Sequence, residues 1–291
     1  MSVYPKSKSR VAIVRHDAAN SLTGEEQAKL LSKMLDAGIT ELTGLQDAAQ
    51  AWSTLFDAKE RIAIKVNCIS QVATTVAVAT AVGRRLHEAA GIPLENIIIY
   101  DRTEAELKRA GYTINASGPG IRCYATTEYG EPVKLSTATV NFSNILLSCD
   151  ALINIPIPKD HDICGVTLAM KNHYGTISNP WDLHANHCDP SVHELNAAEP
   201  IRQRARLIVG DALRVCPSDW NKGVTENALL FAFDPVAHDM LGRRILIAKR
   251  EAEGKKPDYL QSLSGYIASA AKAGLGTDKL ENIDLKEIKL S

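Results

Sequence analysis

The side chains able to bind ions or move protons crowd into one stretch of this 291-residue chain, residues 149–190, CDALINIPIPKDHDICGVTLAMKNHYGTISNPWDLHANHCDP. Five of the eight histidines (His161, His173, His184, His187 and His193) lie between positions 161 and 193, with Lys159, Asp160, Lys171 and Cys188 among them. Imidazole, carboxylate and thiolate at that density suit acid/base work or a transition-metal ion. His161 and His184 are the expected metal ligands, with Asp160 or His187 as an addition. Neutral imidazole accepts zinc, iron, nickel or copper, so the residues leave the metal's identity open. Lys171 and Lys65 are placed to hold a carboxylate or phosphate, or Lys171 to act as a base once its pKa is lowered. Asp160 is a third catalytic candidate. Lys159, Asn172, Asn67 and Asp211 are candidates for holding a substrate or cofactor.

Helical spacing separates these residues further. At 3.6 residues per turn, Thr167, Lys171 and Tyr174 share one stripe, while Val166, Met170 and His173 share the next. Lys171 and His173 are therefore expected to point in different directions, His173 into packing and Lys171 toward chemistry. A lysine in an apolar segment is unusual, because burying its charge is costly without a partner or ligand.

Strand and helix signals alternate along the rest of the chain. Short apolar runs at 10–15, 62–66, 96–101, 121–124, 151–157, 206–210 and 228–233 read as strands. Helical segments are expected at 23–37, 76–90, 104–110, 165–175, 193–204, 236–250 and 258–273. In the first, Thr23 and Glu26 make a capping box and Gly38 is the stop; Gly91 and Gly175 end the second and fourth. Such alternation implies an α/β fold, a mostly parallel sheet with helices on both faces. It is expected to form one interleaved domain over 1–291, with 251–291 as a C-terminal helix and tail. The strand ends present Lys65 and Asn67, Asp101 and Arg102, residues 159–161, Asp211 and Asp234. Open α/β sheets gather ligand sites at those ends. Asp234 is placed to cap the helix that Pro235 begins, and Asp239 to pair with Arg243 on its surface.

Composition narrows the function class. A net charge of −1 offers no electrostatic footprint for nucleic acid. No apolar run reaches the ~20 residues of a membrane span. The start, MSVYPKSKSR, has no apolar core of an export signal, which leaves a cytoplasmic location by default, or a periplasmic one if a signal was trimmed. Six cysteines include no Cys-x-x-Cys pair, which argues against a zinc ribbon or an iron–sulfur cluster. Buried free thiols are the expected state, and disulfides the alternative for an exported chain.

The segments IAIKVN, CDALINIPIPKDH, GVTLAMKNHYG, RLIVGDALR and FAFDPVAHDMLGRRI resemble, in order, those of the domain-of-unknown-function 362 family over roughly residues 10–250. The resemblance implies an α/β protein of uncharacterised activity. Many relatives carry an iron–sulfur domain, for which this chain has no cysteine cluster, or a twin-arginine export signal. A weaker similarity is to the nickel-pincer lactate racemase group, which uses a histidine, a cofactor-bearing lysine and a further histidine. His161, Lys171 and His187 stand in that order, without the group's glycine-rich context around the lysine. Three functions remain open. One is a metal-dependent isomerase or oxidoreductase acting on a small anionic substrate. Another is a non-catalytic protein that delivers a metal or cofactor, or meets an electron-transfer partner. In the third, the histidines serve only packing.

Overall fold

A computed structural model describes residues 8–291. Most of the N-terminal segment read above for an export signal, residues 1–7, lies outside them. Strand β1 (Ser9–Arg15) leads into helices α1 (Gly24–Thr43) and α2 (Ala48–Leu55). Then come β2 (Ile62–Lys65), α3 (Val76–Ala90), β3 (Ile97–Tyr100), α4 (Glu104–Arg109) and β4 (Arg122–Cys123). A hairpin, β5 (Tyr129–Lys134) with β6 (Thr139–Ser143), and a single turn α5 (Asn144–Leu147) precede β7 (Ala151–Asn154). The centre holds a second hairpin, β8 (Lys159–His161) with β9 (Gly165–Thr167), and the short α6 (Ala169–Asn172). Helices α7 (Ser191–Ala197) and α8 (Glu199–Arg202) lead to the long strands β10 (Ala205–Val215) and β11 (Val224–Ala232). Helices α9 (Pro235–Ala252), α10 (Asp258–Ser262) and α11 (Tyr266–Lys272) and the strand β12 (Ile283–Lys289) finish the chain.

Eight strands form one sheet in the order β12-β1-β11-β10-β7-β2-β3-β4. Only β11 runs antiparallel to its neighbours; β12–β1, β10–β7, β7–β2, β2–β3 and β3–β4 are parallel. Period-two alternation divides the apolar side chains between two cores. Ala12, Val14, Ile62, Ile64, Ile97 and Ile99 pack beneath α1, α2 and α3. Ile13, Ala63, Ile98 and Tyr100 face the opposite way, toward α9, α11 and the central segment. Helices therefore cover both faces, as expected for strands that read as nearly continuous apolar runs.

Several local expectations are corrected. Helix α1 does not stop at Gly38; its apolar stripe continues through Ile39 and Leu42, and it ends at Gly44 in a left-handed turn. Gly38 instead permits close packing, since a Cβ there would lie 2.2 Å from the Phe231 ring. Thr23 makes no side-chain cap hydrogen bond, so the capping box does not form. Strand β7 ends at Asn154 because Pro156 and Pro158 cannot donate to a ladder. Residues 165–175 are not one helix but a strand, a four-residue helix and a 3₁₀ turn. The C-terminal tail forms an edge strand along β1. Asp234 caps α9 as expected, accepting from the Val236 and Ala237 amides at 2.8 and 2.9 Å. Asp239 is fully buried rather than at the surface, and it accepts from the Ala169 and Met170 amides at 2.8 and 3.1 Å. That single carboxylate satisfies the start of α6 and so sets where Lys171 begins its reach. All six cysteines are buried and free.

Candidate functional site

At the carboxyl end of β2 and β3, on the face opposite α1–α3, lies a cavity of about 300 Å³. Its floor is built from strand ends. Lys65 Nζ donates to Asp101 Oδ1 at 2.7 Å, to the Val66 carbonyl at 2.5 Å and to Asn172 Oδ1 at 3.4 Å. Asp101 also accepts from the Cys68 and Arg102 amides, at 2.7 and 2.8 Å. Asn67 donates to Asn172 Oδ1 at 3.1 Å, and Asn172 donates to Asn154 Oδ1 at 2.7 Å. Every group here is paired, as buried polar groups need to be. Gly175 completes the floor: a Cβ there would sit 2.6 Å from Lys65 Nζ and 2.7 Å from Asp101 Oδ1.

The opposite wall is different. Lys171 is 5% exposed, yet no carboxylate pairs with it among the described residues. Its Nζ lies 3.1 Å from His184 Nε2 and 3.9 Å from the centroid of the Tyr174 ring. His184 Nδ1 faces the Pro180 carbonyl at 2.9 Å, so Nδ1 carries the hydrogen and Nε2 accepts from the lysine. Burial pushes the Lys171 ammonium below its ordinary range. Burial, aided by Lys171, lowers His184 as well. His161 stacks beside His184 with ring centroids 5.8 Å apart. Burial and then Lys171 push His161 down to about 3, so it is neutral near pH 7. Its Nδ1 meets both the Ile163 amide at 3.2 Å and Asp162 Oδ1 at 3.3 Å. These contacts ask for opposite tautomers. The Asp162 side chain is 89% exposed and solvent-screened, so we assign Nδ1 as acceptor and Nε2–H as the free donor.

Thr167, Lys171 and Tyr174 all line this cavity, as their shared stripe predicts, despite the break in the helix. His173 turns away into packing. Its Nε2 meets Asn154 Nδ2 at 3.2 Å, and its buried Nδ1 has no partner among the described residues.

Of the expected site residues, Lys65, Asn67, His161, Lys171, Asn172 and His184 come together around the cavity. Four do not line it. Lys159 is buried just behind, donating to Asn67 Oδ1 at 2.8 Å and Ser70 Oγ at 3.0 Å, and burial lowers it to about 8. Asp160 turns toward α10 and accepts from the Tyr259 hydroxyl at 2.5 Å. Asp211 faces the other side of the sheet, where it accepts from the Thr75 amide at 2.7 Å ahead of α3. His187 is exposed, in a left-handed turn, with Nδ1 2.7 Å from the Ile163 carbonyl. The His161–Lys171–His187 order is thus not assembled in space.

A transition metal fits these donors poorly as they stand. No group of three His, Cys, Asp or Glu side chains among the described residues is arranged to hold an ion. The accepting nitrogen of His184 is engaged by an ammonium, which a cation would have to displace.

The sequence pattern placed Asp101 among the strand ends and Cys188 among the clustered donors without a particular role, and it passed over Asn154, Gly175, Trp181, Trp220 and Cys164. Asp101 carried a signal, since it ends a strand beside Lys65. Cys188 sits with Cys164, Tyr174 and Lys171, and hydrogen bonding from Cys164 pulls its thiol below the ordinary range. Nothing in residue spacing announces that cluster.

Together the fold and cavity define an α/β protein with a lysine-bearing pocket at the carboxyl edge of a mostly parallel sheet. The chain belongs to the family described as Domain of unknown function (DUF362), whose model matches residues 62–244. Among solved structures it is similar to the lactate racemase apoprotein from Thermoanaerobacterium thermosaccharolyticum, at 14% identity and a TM-score of 0.48, covering 73% of this chain and 54% of that one. It is also similar to a protein from Thermotoga maritima, at 11% identity and a TM-score of 0.39, covering 86% of this chain and 59% of that one. The chain therefore spans little more than half the length of either structure. No curated protein matches the sequence. No helix among the described residues is long and apolar enough to cross a membrane.

Proposed function

We propose that this protein is an enzyme that binds a small anionic substrate in the cavity and transfers a proton on it, as an isomerase does. The observation that carries this reading is Lys171, a buried ammonium with an imidazole and a tyrosine ring for neighbours and no carboxylate. A buried ammonium with no carboxylate in contact is costly, and an anionic ligand supplies that contact. When the ligand's carboxylate takes the Lys171 ammonium, His184 Nε2 is released as a proton acceptor. His161 Nε2–H faces the same space as a neutral donor for the oxygen that gains charge. The proton leaves the substrate for His184 and returns from it, so the reaction balances without a further reactant. Lys65, Asp101, Asn67 and Asn172 hold the floor rigid.

Incubating the chain in deuterium oxide with short 2-hydroxy, 2-oxo and 2-amino acids, and following the C2 proton by NMR, tests this. Exchange above the uncatalysed rate with at least one acid, lost in Lys171→Met, is expected. If acids bind but none exchanges, the protein is a binding module and not an enzyme.

The stacked pair His161 and His184 favours a second reading, in which a metal or cofactor is carried on the two imidazoles with ligands from outside the chain and delivered without turnover. Elemental analysis of protein purified without a histidine tag decides it: a stoichiometric transition metal supports delivery, and metal-free protein removes it.

A further inference from the structure

Resting on the anion-binding reading, the geometry points to an aromatic carboxylate as the substrate class, its ring laid on Trp181 and its carboxylate on Lys171. Two of the most exposed large apolar side chains in the described residues, Trp181 at 73% and Ile69 at 43%, both line this cavity. Leaving an indole that open forgoes the burial that usually holds tryptophan, and exposed apolar surface beside a polar site marks a contact for a partner molecule. By contrast Trp52 is fully buried.

Trp181 also begins a file of rings that crosses the site. Its centroid is 5.1 Å from that of His184, His184 is 5.8 Å from His161, and His161 is 5.2 Å from Trp220. Tyr174 meets His184 edge-on at 5.2 Å. His184 and His161 are stacked at 28°, Trp181 is tilted 33° to His184 and His161 meets Trp220 edge-on at 65°, and the mostly exposed indole at the end of the file leaves π surface at the cavity for a further ring. A planar unsaturated group continues the stack where a saturated one does not. The distance from the open indole to the ammonium is bridged by one imidazole, because His184 touches both Trp181 and Lys171. A ligand with a ring and a carboxylate a few bonds apart satisfies both ends, and Ile69 adds apolar contact at the mouth.

Calorimetric titration of the chain with 3-phenylpropionate, 3-cyclohexylpropionate and propionate tests the assignment. Phenylpropionate is expected to bind at least about tenfold tighter than propionate and at least about threefold tighter than its saturated analogue. Trp181→Leu should remove the preference for the phenyl over the cyclohexyl acid, and Trp181→Phe should retain it. Equal binding of the phenyl and cyclohexyl acids, or a preference that survives in Trp181→Leu, overturns the aromatic assignment and leaves the anion site standing. If none of the three binds, or if Lys171→Met binds all three as wild type does, the anion reading fails together with it.

Discussion

Two buried lysines line one cavity, and their surroundings are opposites. Lys65 is 1% exposed and meets a carboxylate, a carbonyl and an amide oxygen. Lys171 is 5% exposed and meets an imidazole nitrogen and the face of a phenol ring. A fully paired charge is a structural fixture, because any ligand that took it would strand Asp101. An underpaired one is open to a ligand. The contrast teaches that lysine burial alone does not mark function; the absence of a carboxylate in contact does.

Asp101→Ala should break the paired side. It leaves Lys65 buried without its counter-ion and frees the Cys68 and Arg102 amides. Removing one partner of a buried pair typically costs about 3–5 kcal/mol, so urea unfolding should show a loss of that order. A loss under about 1 kcal/mol would mean the pair is not the fixture described. Next in size is Gly175→Ala, which forces a methyl against Lys65 and Asp101. Overpacking of this kind costs about 1–3 kcal/mol, and guanidinium unfolding should detect it.

Much of this contrast was legible beforehand. The alternating runs placed β2, β3, β7 and β10 in one sheet, and the 3.6-residue spacing put Lys171 and Tyr174 on a common side and His173 on another. Lys65, Asn67 and Asn172 were picked out because they end strands or lie in the histidine-rich segment, and they do line the cavity. What stayed hidden depends on contacts between distant elements. Asp160 and Asp211 read as strand ends in the sequence, but they lie inside β8 and β10, where a pleated strand sends neighbouring side chains to opposite faces, and these two turn to α10 and α3. Asp239 reads as a surface residue because Arg243 stands four residues on, where an i,i+4 pair would form; only its packing on α6 shows the carboxylate capping a second helix. His187 lies near His184 in sequence, yet the left-handed turn at 186–188 carries it out of the site.

A smaller effect probes the packed histidine against the functional ones. Burial pushes His173 down to about 3 from the usual 6.5. Between those values the unfolded chain binds a proton that the folded chain refuses, so stability falls as pH drops from about 6.5 toward 3. From pH 7 to 5.5 this histidine should account for a loss of about 1 kcal/mol. His173→Leu should lose that much less stability over the same interval in urea unfolding at the two pH values. Identical slopes in the two proteins would show that His173 finds a proton acceptor.

The smallest expected change in stability belongs to Lys171→Met, and there the account is most exposed. The substitution keeps the apolar stem and deletes a charge that no carboxylate holds, so unfolding free energy should stay within roughly 0.5 kcal/mol of wild type, or rise. Affinity for short carboxylates, measured by calorimetric titration on the same preparations, should nevertheless fall at least about tenfold, about 1.4 kcal/mol. Unaltered affinity, or a protein that unfolds readily, would contradict the claim that Lys171 is the anion anchor of this cavity.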